Sequence, residues 1–392
     1  MARKAVQGAA VAVTNRLVSF LTAIVLISPA TAGVLPEDRA DALYHSYDGG
    51  GVEVTGPSIL VRKGDNKRFS VSANYYADSI SSASIDVVTQ GSPYSEQRTQ
   101  KSISLDFLHA DTTMSAGYTN SEESDYKANT AVFSITQSMF GDLTTVTLGF
   151  SRGWDDVMDN TVPGFKKPAD HRQYKLALSQ VLTKNLIMSL NYDAVTDEGF
   201  LHNPYRSVRY IDTSNTTSLT TGTQKEVYPE TRTSNAIAAQ IKYYLPYRAT
   251  IGAGYRFYTD DWDIEAHTAE IGYTHPLGDK WIIDLGYRYY TQSNADFYSD
   301  LFPRQDAQNF LARDKELSEF TDHSVMFGIG YEFLGHGWHF IDRASLNLNY
   351  RHVWFNYDNF RDLENTRGKA PGEEPLYSFT AGIYQIFLSA WF

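Results

Sequence analysis

Arg256, Glu270 and Arg288 fall on three neighbouring segments of alternating polarity. If the turns between them centre near Trp262 and Gly278, both arginines come to lie opposite Thr268, with Glu270 one step along the same face. A carboxylate between two guanidiniums, with Asp284 and Arg351 on the same polar row, is the charge pattern of a constriction that sorts solutes by charge. The same pattern also serves as a ladder that only stiffens a wall. Two acidic clusters lie in expected loops: Asp155, Asp156 and Asp159, and Asp260, Asp261 and Asp263. Carboxylates so grouped can hold calcium, or the divalent ions that bridge lipopolysaccharide. Neither group has the full spacing of a calcium loop, and solvated acidic loops are the simpler reading.

Hydrolysis at a rim would need His171 or His202 beside Asp170 or the Asp155 group, and no motif fixes that geometry. The expectation is a protein that is not an enzyme. His336 and His339 in "GHGWH" have a spacing open to a metal, but an ordinary turn accounts for them. The chain has no Cys, which excludes thiolate zinc sites, disulfides and thiol chemistry. There is no Gly-rich phosphate loop and no haem-attachment motif, so no cofactor is expected.

The elements that must carry these residues are strands. Period-2 alternation bounded by turn residues marks about fourteen, each long enough to cross a bilayer at a tilt. They cover 68–78, 99–109, 112–121, 124–138, 142–153, 170–182, 186–196, 231–244, 248–260, 264–275, 281–292, 319–333, 343–356 and 377–392. Ala344, Leu346, Leu348 and Tyr350 alternate with Ser345, Asn347, Asn349 and Arg351, and three more segments are as regular. Short turns alternate with long connections, as in a transmembrane barrel. Trp154, Trp262, Trp281, Trp354 and Trp391 lie near strand ends, where aromatic girdles meet the membrane interface. The segment 293–318 is mixed in character and suits an inward-folded loop carrying a short amphipathic helix.

Both ends of the chain fit export to an outer membrane. Arg3, Lys4 and Arg16, an apolar run over 17–27 and Ala30-Thr31-Ala32 read as a signal peptide over 1–32. Its removal takes the formal charge from -12 to -15, because 1–32 holds three basic residues and no acidic ones. So acidic a chain is ill suited to nucleic acid. Tyr384, Ile386, Leu388, Ala390 and Phe392 alternate up to a terminal aromatic residue, which resembles the recognition signal of barrels delivered to the assembly machinery. Residues 33–67 stand outside the strand count. In them 36–47 reads as a short helix, "DGGG" as a hinge, and 51–62 as strand-like: a periplasmic hairpin partner, an inward plug, or part of a larger barrel of sixteen strands.

The stretches "YHSYDGGGVEVTGPSILVRK", "RFSVSANYYADSISSASIDVVT" and "TLGFSRGWDD" resemble a family of uncharacterised proteobacterial outer-membrane β-barrels that bears only a domain-of-unknown-function label. The resemblance runs from about Asp41 to Phe392. It implies gene neighbours that include a small lipoprotein, a flavin-attaching transferase and a thioredoxin-like protein, hence a link to envelope redox chemistry. It carries over no functional residues, and this chain lacks the Asp-x-x-Ser/Thr-Gly-Ala-Thr type of flavin attachment site. The expectation is therefore all-β: a transmembrane antiparallel up-and-down barrel over 68–392, set among lipopolysaccharide with both termini periplasmic. It would pass a small hydrophilic solute, or hold a lipoprotein or redox partner.

Overall fold

The computed structural model describes residues 33–65, 67–82, 84–85, 94–212, 220–333 and 340–392. The signal peptide expected over 1–32 and the His336/His339 pair lie outside the described residues. Eighteen strands are described: β1 (Arg39–Gly49), β2 (Val52–Gly64), β3 (Phe69–Ser82), β4 (Tyr94–His109), β5 (Thr112–Glu122) and β6 (Tyr126–Met139) come first. There follow β7 (Thr144–Met158), β8 (Lys166–Thr183), β9 (Leu186–Gly199), β10 (Ser207–Asp212), β11 (Thr220–Lys225) and β12 (Thr231–Tyr244). The last are β13 (Thr250–Asp260), β14 (Glu265–Leu277), β15 (Trp281–Gln292), β16 (Phe320–Phe333), β17 (Arg343–Arg361) and β18 (Leu376–Trp391). Every pairing between these strands is antiparallel, and all of them except β10 and β11 close into one barrel, in which β18 pairs with β1.

The barrel thus has sixteen strands, not fourteen. The two additional strands are β1 and β2, so the alternative of a larger barrel of sixteen strands holds for this segment and the periplasmic hairpin and the plug do not. Residues 36–47 do not form a helix: Tyr44 faces outward while His45 and Tyr47 are buried inward, a period of two. The expected hinge is a two-residue hairpin turn. Gly50 (φ +58°) and Gly51 (φ +76°) both take the left-handed conformation that such turns require, which glycine adopts without strain. At the other end of β2, Asp65 accepts hydrogen bonds from the backbone N–H groups of Lys67, Arg68 and Phe69 at 2.9, 2.7 and 2.9 Å and fixes the turn into β3.

The start of β1 and the end of β18 share one rim with the tight turns at 110–111, 140–143, 184–185 and 278–280. Long connections gather at the opposite rim, together with tight turns at 50–51, 123–125 and 261–264, so short and long do not strictly alternate. Outward residues are apolar and exposed, among them Leu148, Ile237, Ile271, Leu285, Phe327 and Ile386. Trp154, Trp281 and Trp354 stand on this face; Trp262, expected in the girdle, is instead buried at 3% exposure beneath the loops.

Candidate functional site

Strand register decides which ionisable groups share the lumen. Glu270 is paired directly with Arg288, two residues from the expected register, because the loop 278–280 has three residues and moves the hairpin centre. Arg256 lies opposite Thr268 as expected. Arg288 Nη1 is 2.6 Å from Asp322 Oδ1, while its Nε is 3.8 Å from Glu270. The stronger partner of Arg288 is therefore Asp322, which lies across the other strand and is 1% exposed. Arg351 Nη1 donates to Ser324 Oγ at 3.0 Å, and Thr274 donates to Asp284 at 2.6 Å. Glu270, Asp284, Arg288 and Arg351 line one cavity of about 420 Å³ with Lys242 and Met326. Arg256 is outside that lining, its guanidinium 5.5 Å from the Tyr258 ring centre.

The Asp155 group does not converge. Asp155 and Asp156 lie on β7, not in a loop, so consecutive side chains take opposite faces. Asp156 pairs outside with Lys166 at 2.9 Å, and Asp159 caps its own turn through the N–H and hydroxyl of Thr161. Among the described residues no group of three or more His, Cys, Asp or Glu is placed to hold a metal. Asp260, Asp261 and Asp263 likewise belong to a tight turn, where Asp260 accepts from the N–H groups of Trp262 and Ile264, both at 3.0 Å.

Asp155 points inward, toward His171. Nδ1 of His171 is 2.8 Å from Asp197 and Nε2 is 3.3 Å from Asp155, so both ring nitrogens are engaged. Neither nitrogen is open to take a proton from a nucleophile. Asp170, expected beside His171, faces outward to Arg152 and Arg172. His202 stacks between Phe200 and Tyr228, and burial, then the nearby Lys225 charge, lowers its pKa to about 4. Asp155, His171, Asp197, His202 and Trp262 line a second lumen cavity, about 630 Å³, at the long-loop rim.

One wall of that cavity is not barrel. The connection 293–319 folds inward as expected, but it carries only a 3₁₀ turn over Lys315–Leu317 rather than an amphipathic helix. Asp314 caps this turn by accepting from the Glu316 N–H at 2.9 Å. Phe297, Tyr298 and Leu317 pack with Tyr228, Trp262, Tyr357 and Phe360. The lumen face beneath is itself apolar, with Tyr47, Val52, Val54, Ile80 and Ile383 buried together. The connection therefore seats on the β17–β18–β1–β3 side of the mouth and leaves the cavity on the β4–β9 side.

A buried ionic hub ties three loops into one cap. Asp300 accepts from Arg209, and from Arg313 Nε at 3.1 Å. Arg209 also donates to Glu374 at 2.6 Å, and Arg361 Nη1 donates to the Glu374 carbonyl at 2.5 Å. The β10–β11 hairpin joins by backbone bonds, Phe302 N–H to Arg209 O and Ile211 N–H to Phe302 O, each 2.9 Å. A third buried cluster was also not read from sequence. His45 Nε2 is 2.8 Å from Asp78, which accepts from Arg98 at 2.5 Å, and Tyr76 lies 3.0 Å from His45. Asp78 and Arg98 are register partners, so pairing β3 with β4 correctly would have found them.

The closed wall, its apolar exterior and its charged interior define an outer-membrane β-barrel protein. The chain belongs to a protein family of unknown function, DUF3570, whose model matches residues 85–165 and 166–352. Its fold is similar to that of a bacterial polysaccharide outer-membrane secretin (TM-score 0.50, 6% identity, covering 91% of this chain and 100% of that one). A Pseudomonas aeruginosa FadL homologue matches at TM-score 0.44 and 9% identity, over 91% of this chain and 90% of that one. OmpT, an outer membrane protein of Vibrio cholerae, matches at TM-score 0.43 and 11% identity, over 92% of this chain and 100% of that one. No curated protein sequence matches the chain.

Proposed function

We propose that the chain is an outer-membrane channel for a small hydrophilic solute, restricted at one mouth by its own loops. The supporting observation is the inward row: polar and charged side chains of both signs surround two cavities of about 630 and 420 Å³. Ion pairs such as Arg288–Asp322 hold that row in place, and Glu270 and Arg351 leave charge facing the smaller cavity. In this reading the rim with both termini faces the periplasm, the cap faces outward among lipopolysaccharide, and the barrel-assembly machinery inserts the chain. Neither a cofactor nor catalysis is part of it: both nitrogens of His171 are held, and His202 is stacked and neutral.

The rival role, holding a small lipoprotein or redox partner, rests on a free N-terminal segment and on the gene neighbours that the family resemblance implies. Residues 39–64 are wall strands instead. Planar-bilayer recording of the refolded chain tests the proposal. The expected result is low, intermittent conductance that becomes steady in Asp300→Asn. A folded barrel that conducts in neither form sinks the channel and leaves the partner-holding role.

A further inference from the structure

A second, smaller cavity opens between the β10–β11 hairpin and the β17–β18 connection, about 330 Å³ in volume. Arg209, Arg313 and Lys369 line it, with the hydroxyl-bearing Thr221, Thr223 and Thr366. Among the described residues, three guanidiniums (Arg209, Arg313, Arg361) pair with two carboxylates in the hub behind it, Asp300 and Glu374. Glu374, the only acid among the described lining residues, is turned to Arg209 and to the Gly372 N–H. Arg313 is 2% exposed, and its Nη1 has no hydrogen-bond partner while its Nε and Nη2 are satisfied. An orphaned buried guanidinium N–H costs free energy that an acceptor would recover. Lys369 makes no ion pair among the described residues and adds a further positive charge at the rim.

We propose that this cavity is an oxyanion site for a phosphate group. The local excess of positive charge in a chain of net charge -12 is what recruits an anion, and the threonine hydroxyls complete a donor set for several oxygens. The phosphate belongs either to a free solute or to a lipid headgroup at the outer surface. The site is separate from the lumen, so its occupancy does not depend on whether the barrel conducts.

The test is titration of the full, folded chain in detergent with inorganic phosphate at constant ionic strength, with chloride as reference. Lys369→Gln and Thr223→Val carry it, because both are peripheral to the hub; Arg313→Met would loosen the cap itself. Saturable phosphate binding, weakened roughly tenfold or more by Lys369→Gln, supports the site as one for a free phosphate solute. Binding confined to micelles containing phosphatidic acid over phosphatidylcholine, and weakened by the same variant, supports a lipid headgroup. Phosphate no better than chloride together with no preference for phosphatidic acid overturns the proposal, as does binding that neither variant alters.

Discussion

The charged row on β13–β17 and the cap over the mouth are both built from arginine and carboxylate, yet they are held in different ways. In the wall, Glu270 is the register partner of Arg288, and Asp322 stands two residues along β16 from Ser324, the other partner of Arg288; the backbone bonds of the sheet hold this alignment. In the cap, Arg209 meets Asp300 across 91 residues and Glu374 across 165, with only short backbone bridges to help. The hub must therefore supply its own order. A wall pair can be lost without loss of the barrel, whereas a hub residue holds three loops at once.

That contrast can be broken from the wall side first. A Cβ at Gly56 would sit 1.8 Å from the Ala77 carbonyl oxygen, so Gly56→Ala must push β2 and β3 apart. The expected outcome is loss of the heat-modifiable barrel band on gels, since β1 and β2 close the sheet. A variant that folds normally would mean these strands are dispensable to closure. Asp300→Asn is next in size. Removing one partner of a buried charge cluster costs ~3–5 kcal/mol, here charged to the cap alone. Faster proteolysis within 293–319, with the barrel band retained, is the expected signature. Simultaneous loss of both would make cap and wall one cooperative unit.

A pH dependence separates the regions more finely. Glu123, in the turn after β5, is pushed up to about 8 by burial, and Asp125 to about 6 by burial despite a hydrogen bond from Tyr205. Both folded values exceed the unfolded ones of 4.5 and 3.8, so the folded turn binds more protons. The stabilisation is complete below about pH 4 and is lost as pH rises through about 6 and then 8. Amide exchange at 123–126, corrected for its intrinsic pH dependence, should accelerate from pH 5 to 8, and Glu123→Gln should flatten the profile. Smallest is Glu270→Gln. Glu270 is half-exposed and 3.8 Å from Arg288, so the expected change is a modest shift of ion selectivity toward anions, with no change in melting. Unaltered reversal potentials would place Glu270 off the ion path.

The site was legible to the depth that the backbone repeat reaches. Arg256, Glu270, Asp284, Arg288 and Arg351 all fall on the inner face, because alternation alone fixes side. Their partners did not follow, since a hairpin centred on Asp279 rather than Gly278 moves the guanidinium of Arg288 from Thr268 to Glu270. The acids of the Asp155 group do not converge, for a related reason. Strand β7 runs to Met158, past the expected loop boundary, and splits the acids between two faces. The expected helix over 36–47 misled because Pro36 and the acids after it imitate a helix start, while pairing with β18 and β2 imposes the strand.

By itself the sequence determined that the chain is all-β, which residues face lipid and which the lumen, and that no thiol chemistry is available. These are properties of local period and composition. Only the tertiary structure decided that sixteen strands close, that 293–319 seats on an apolar patch inside the mouth, and that Asp300 gathers three arginines. Closure and loop docking depend on contacts between distant residues, whose free energy no local pattern encodes.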